Sequence, residues 1–166
     1  MKCLAFVPTK DGAATKAGLE AVSYAVSCGA EVTAMMAGPI SGDSGAGAAG
    51  ASKVLHVSDD LKDEAQLAQA VAAAAEAEGA VLVVAPHDHV GRAVAPRVAV
   101  SLKAGMVPGV TGLLEGATVQ RNVFSGKAMA HVSVHTDRKV LTTTPNAFGV
   151  NQGEGQANVE SFAPEL

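Results

Sequence analysis

Residues 80–100, AVLVVAPHDHVGRAVAPRVAV, constrain this chain more than any other stretch. Ala80 to Ala85 is a short, continuous, Val-rich apolar run, which suits a strand covered on both faces. Pro86 to Gly91 is a sharp break carrying His87, Asp88 and His89. Beyond it Val94, Val98 and Leu102 recur at helical spacing. A strand, a tight loop and a helix N-terminus in that order make half of a βαβ unit. Such units place ligands beyond the carboxyl ends of parallel strands, where free backbone N–H groups attract anions.

The rest of the chain repeats the pattern. Residues 2–8 (KCLAFVP), 31–38 (EVTAMMAG) and 53–57 (KVLHV) read as strands, and residues 16–28 and 61–78 as helices stopped by Gly29 and Gly79. Ser58, Asp59 and Asp60 are all competent N-caps for the second of these helices. Pro96 predicts that the helix after the 86–91 loop starts near Ala93, because only the first turn tolerates a missing N–H. Alternating strands and helices predict right-handed crossovers and a three-layer, doubly wound α/β fold with a parallel sheet. After Gly105 the pattern changes to short strands (118–124, 128–135, 139–144) with turns at Ser125-Gly126 and Thr136-Asp137, a β-rich extension. The domain is expected over residues 1–148. Residues 149–166, polar and glycine-containing, read as a tail or linker.

With 166 residues the chain can bury a full core as one domain. Its net charge of −4 leaves no basic stripe for nucleic acid. No apolar run approaches the ~18 residues of a membrane span, and the N-terminus has no signal-peptide pattern. Two isolated cysteines, Cys3 and Cys28, fit buried thiols in a reducing cytoplasm. There is no Trp, one Tyr and four Phe, so platforms for stacking a flavin or a nucleobase are few.

Gly45-Ala46-Gly47-Ala48-Ala49-Gly50 satisfies G-x-G-x-x-G, but it follows the second strand after an insertion. Its downstream acids, Asp63 and Glu64, fall in a helix, so it reads as a small-residue helix packed on the sheet rather than a dinucleotide fingerprint. His87-Asp88-His89 has ligand-like alternation, but His56, His131 and His135 are scattered and supply no further cluster; Asp88 or His89 suits a helix cap better. Gly91 and Arg92 at the helix start form a candidate anion site. Ser125 lies in a strand-turn setting rather than a nucleophile elbow, and no Walker motif or catalytic pair is present.

Four stretches in register carry a family resemblance over residues 1–150. GAGAAGASKVLHVSD is similar to a small helix leading into "GADKV" and a strand. APHDHVGRAVAPRVAVSL is similar to a loop followed by "G-R/K-x-x-x-P-R-x-A". VQRNVFSGKAMAHV is similar to an "R-P-x-Y-A/S-G-N-A" segment, and KVLTTTPNAF to a "V-x-T-x-R-x-x-x-F" strand. Together they resemble the N-terminal domain of the electron transfer flavoprotein α subunit. The resemblance implies an adenine-nucleotide-α-hydrolase-like sheet of strand order 3-2-1-4-5. It also implies an electron carrier rather than an enzyme, paired with a β-like subunit or self-associated as a homo-oligomer.

In that family FAD is held mainly by a second domain, so FAD is not expected to be bound by these residues alone. Gly91, Arg92, Pro96, Arg97, Arg121, Gly126 and Phe148 match family positions. His87-Asp88-His89, Asn122, Lys127 and Thr144 depart from it. The candidate cofactor or subunit-contact residues are therefore Pro86, His87, Gly91, Arg92 and Arg121. The alternative is a stand-alone AMP- or ATP-binding module of the universal-stress type. It would use the crevice between residues 8–12 and 86–92 but lacks that family's glycine-rich phosphate loop.

Overall fold

A computed structural model describes residues 1–166. In chain order the elements are β1 (Lys2–Phe6), β2 (Thr9–Lys10), β3 (Ala13–Ala14), α1 (Lys16–Ser27), β4 (Glu31–Ala37), α2 (Ala46–Ala49), β5 (Lys53–Val57) and α3 (Glu64–Glu78). They continue with β6 (Leu82–Pro86), α4 (His89–Leu102), β7 (Gly105–Val110), β8 (Thr118–Val123), β9 (Ala128–Ser133), β10 (Lys139–Thr143) and β11 (Asn158–Ser161). Apart from the small β2–β3 pair, the strands form one nine-stranded sheet in the order β11-β5-β4-β1-β6-β10-β7-β8-β9. All pairings from β11 to β7 are parallel, and β8 and β9 add an antiparallel hairpin at the far edge.

The α/β, three-layer expectation describes this architecture. Along β1, Cys3 and Ala5 face one apolar cluster with α1 and α2, whereas Leu4 and Phe6 face another with α3 and α4. A strand buried on both faces needs the continuous apolar run the sequence shows. α1 packs closely because Gly18 lies against Val7, where a Cβ would approach the Val7 side chain to 2.7 Å.

Four expectations are corrected. The order 3-2-1-4 holds for β5, β4, β1 and β6, but the next strand in sequence, β7, is not beside β6. β10 stands between them, with Leu141 opposite Val84 on one side and Val107 on the other. The KVLTT segment, expected in a β-rich extension, is thus a central parallel strand whose Val140 and Leu141 are fully buried. Residues 149–166, expected as a tail or linker, are built into the fold: β11 pairs with β5 in parallel register from Asn158–Lys53 to Ser161–His56.

The third correction concerns α4, which starts at His89, not near Ala93, and carries Pro96 inside it. Arg92 and Pro96 lie on the exposed face, so water can take the Arg92 carbonyl that Pro96 leaves without a donor. At α3 the cap is Asp63, which accepts from the N–H groups of Ala65 and Gln66, rather than Ser58, Asp59 or Asp60.

The closing stretch is held by side-chain acceptors on the first half of the chain. The Glu20 carboxylate, 1% exposed, accepts from the backbone N–H groups of Asn146, Phe148 and Gly149 at 2.8, 2.9 and 2.7 Å. Ser23 Oγ accepts from Asn151 N at 2.9 Å and donates to Ala49 O. Asp43 accepts from Gly45, Gly47 and Ala157. Gly47 of α2 has no room for a side chain, because a Cβ would meet the backbone of Gln156 and Ala157. The G-x-G-x-x-G stretch is therefore a packing surface for this strap.

Candidate functional site

The chain leaves β1 toward β4 and β5, then returns through α3 to β6 on β1's other side. The switch point between β1 and β6 is where such sheets open a crevice beyond their strand ends. A cavity of about 230 Å³ lies there, lined by Phe6, Val7, Thr9, Ala37, Leu67 and Val90 together with Asp60, Lys62 and Glu64. Its polar lining suits a phosphate poorly. The one cation, Lys62, is paired with Asp60 at 3.1 Å, and Glu64 adds a second carboxylate.

The residues singled out in the sequence gather one strand further along, at the carboxyl ends of β6, β10 and β7 and beside β8, which runs antiparallel to β7. Pro86 closes β6, and its carbonyl lies so near Gly91 that any Cβ there would fall far inside contact distance. Gly91 is thus required by close backbone approach. Asp88 is the N-cap of α4 and accepts from Gly91 N at 2.7 Å, so the helix terminus is already satisfied by the protein's own carboxylate. Of the two cap candidates it is Asp88, not His89, that serves.

His87 is fixed by β10. Its N–H donates to Thr143 O at 2.8 Å, and its Nδ1 lies 2.9 Å from Thr142 Oγ1. Gly109 N donates to the same Thr142 oxygen at 2.8 Å. Thr142 is fully buried, so its hydroxyl hydrogen needs an acceptor, and His87 Nδ1 is the one at hand. The imidazole therefore carries its proton on Nε2. Gly109, at φ +65° beside the bulge between β7 and β10, leaves the Cδ2–Nε2 edge of His87 without a covering side chain.

Arg92 on the first turn of α4 and Arg121 on β8 are near enough to act on His87. Burial first, then these two guanidiniums, hold its pKa below the usual imidazole value, with Asp88 opposing them. Arg121 is brought in by the pairing of β8 with β7, opposite Val110. Its Nε is buried without a hydrogen-bond partner. No carboxylate lies within ion-pair distance of Arg92 or Arg121; the ion pairs of the chain are made by Lys53, Lys62 and Arg138.

The structure thus brings Pro86, His87, Gly91, Arg92 and Arg121 into one neighbourhood. It adds Thr142 and Gly109, which sequence reasoning missed. No group of three or more His, Cys, Asp or Glu side chains could hold a metal ion. Both cysteines are free, and burial pushes both thiols up.

A second feature stands at the β9 edge of the sheet. The β8–β9 hairpin ends in a four-residue turn, 124–127, in which Phe124 and Ser125 take positive φ before Gly126. Phe124 at its tip is 82% exposed and Met129 on β9 61% exposed. No helix is long and apolar enough to cross a membrane.

Comparison with known families gives one match and one blank. No curated protein matches the chain. The model of the electron transfer flavoprotein domain matches residues 3–166, which include every strand from β1 to β11 except the first residue of β1. The chain belongs to the electron transfer flavoprotein domain family.

Proposed function

We propose that this chain is an α-subunit-like pairing and scaffolding module of FAD-dependent electron transfer. It meets a β-like subunit along the β8–β9 edge and works in the cytoplasm. The observation that carries this reading is the hairpin itself. A six-residue edge strand with free backbone groups, beside an exposed Phe124 and Met129, is ready to pair.

The aromatic inventory supports a module that holds partners rather than stacking a flavin by itself. Tyr24 and Phe148 are packed edge-on with ring centroids 4.6 Å apart, and Phe6 is buried. Phe162 is half-buried, which leaves Phe124 as the exposed ring. The alternative, an AMP or ATP module, has a cavity at the right place but one whose polar lining is mainly acidic.

The test is a flavin titration followed by visible absorbance and gel filtration. The chain alone should retain no FAD, and the chain co-expressed with an electron transfer flavoprotein β-like subunit should co-elute with it. Stoichiometric FAD on the chain alone contradicts the scaffold reading, and tightly held AMP or ATP on the chain alone favours the alternative.

A further inference from the structure

We propose that His87, Arg92 and Arg121 form a binding site for a phosphoryl oxyanion, distinct from the switch-point cavity and from the outer strand β9 and hairpin tip at Phe124. Three different elements supply the donors: the end of β6, the first turn of α4, and β8. Their charge is unbalanced. Arg92 stands on the first turn of α4, five residues after His87, and Arg121 stands opposite Val110, next to the Gly109 that borders the His87 ring; no carboxylate is within ion-pair distance of either guanidinium. Solvent screens such a cluster only in part. Arg121 Nε, in particular, is removed from water and has no protein acceptor. A buried N–H without a partner is destabilising, and natural structures rarely retain one without a role.

The donor set suits an oxygen-rich anion rather than a metal or a neutral ligand. The Thr142 hydroxyl takes up Nδ1, so His87 presents Nε2–H as a donor. The absence of a side chain at Gly109 leaves that edge open. Arg92 and Arg121 add planar forks that match phosphoryl oxygens in pairs. The helix terminus is not the source of attraction, because Asp88 already caps it. The site is therefore made by side chains, and its ligand chemistry is that of a phosphate monoester, a diphosphate or free phosphate.

The test is calorimetric titration of the full chain with inorganic phosphate, pyrophosphate, AMP and ADP in turn, at low ionic strength. Inorganic phosphate is expected to bind saturably. Arg121→Gln and Arg92→Gln should each weaken it about tenfold or more, since each removes a charge-assisted pair. Lys2→Gln, at the opposite end of the sheet, should leave it unchanged. Arg92 is exposed, so its variant keeps the test open even if Arg121→Gln does not fold.

The ligand series identifies the source: phosphate and AMP binding alike point to a monoester, pyrophosphate and ADP binding more tightly to a diphosphate. Failure of phosphate and pyrophosphate to bind saturably overturns the proposal. So does undiminished binding by folded Arg92→Gln or Arg121→Gln. Neither result bears on pairing through β8–β9, which is read separately by co-elution.

Discussion

His87 shows how one residue's behaviour follows from neighbours that sequence spacing does not reveal. Burial, Arg92 and Arg121 all depress its pKa, and Asp88 alone opposes them. A histidine depressed in the folded state binds fewer protons than it does unfolded. The stability it contributes is present above the unfolded value of about 6.5 and is lost as pH falls from there through the folded value. An NMR titration of His87 should therefore show a midpoint below the usual imidazole range, and Arg92→Gln should move it upward. An unchanged midpoint in Arg92→Gln would mean the guanidinium does not act on the ring.

Gly91 belongs to the same scale. Gly91→Ala drives a methyl group into the Pro86 carbonyl and should cost about 3 kcal/mol or more, read as a fall in chemical-denaturation midpoint. His87, Gly91 and Arg92 were legible because they sit together in the sequence after an evident strand. Arg121 was legible only through family resemblance. Thr142 was not legible at all, because it reaches His87 from a strand 55 residues away.

The elements were read from periodicity, and their failures share a cause. The class of β10 was clear from KVLTT, but its place was not. Any Val- and Thr-rich strand fits beside any other, and order among parallel strands is set by long-range packing. The helix α4 began earlier than Pro96 suggested because that proline lies on the wet face, where a lost hydrogen bond is replaced by water.

The strap, residues 146–162, failed to register as structure for another reason. Most of its side chains are exposed, and what holds it is its backbone N–H groups reaching Glu20, Ser23 and Asp43. Burial alone would raise the Asp43 pKa, but the N–H groups of Ala157, Gly45 and Gly47 outweigh it and hold the carboxyl below its usual value. Its contribution is present above the unfolded value and lost as pH falls through the folded one. Asp43→Ala leaves these donors without their acceptor and should cost about 1–3 kcal/mol. The cost should appear as faster hydrogen exchange across residues 153–161, while exchange in β1 and β6 stays slow. Equal acceleration throughout the sheet would mean that the strap is not a separately held element.

At the scale of the whole molecule, the α/β class was legible because strands and helices alternate from β1 to β7, and the family was legible from four motif stretches in register. The two ends of the sheet were not. One ends in β11, a four-residue strand beside the strap, whose ties are backbone N–H groups. The other ends in the six-residue β9 beside the exposed Phe124 and Met129, and that asymmetry underlies the pairing proposal. Phe124 is at the tip and makes no core contact, so Phe124→Asp should change stability by no more than about 0.5 kcal/mol. Its effect should fall on association instead.

The most direct test is therefore the molar mass, by light scattering, of the chain mixed with an electron transfer flavoprotein β-like subunit, for the wild type and for Phe124→Asp. The account predicts a one-to-one complex for the wild type and separate chains for a folded Phe124→Asp. A wild-type mixture that stays as separate chains, or a variant that pairs as well as the wild type, would contradict it.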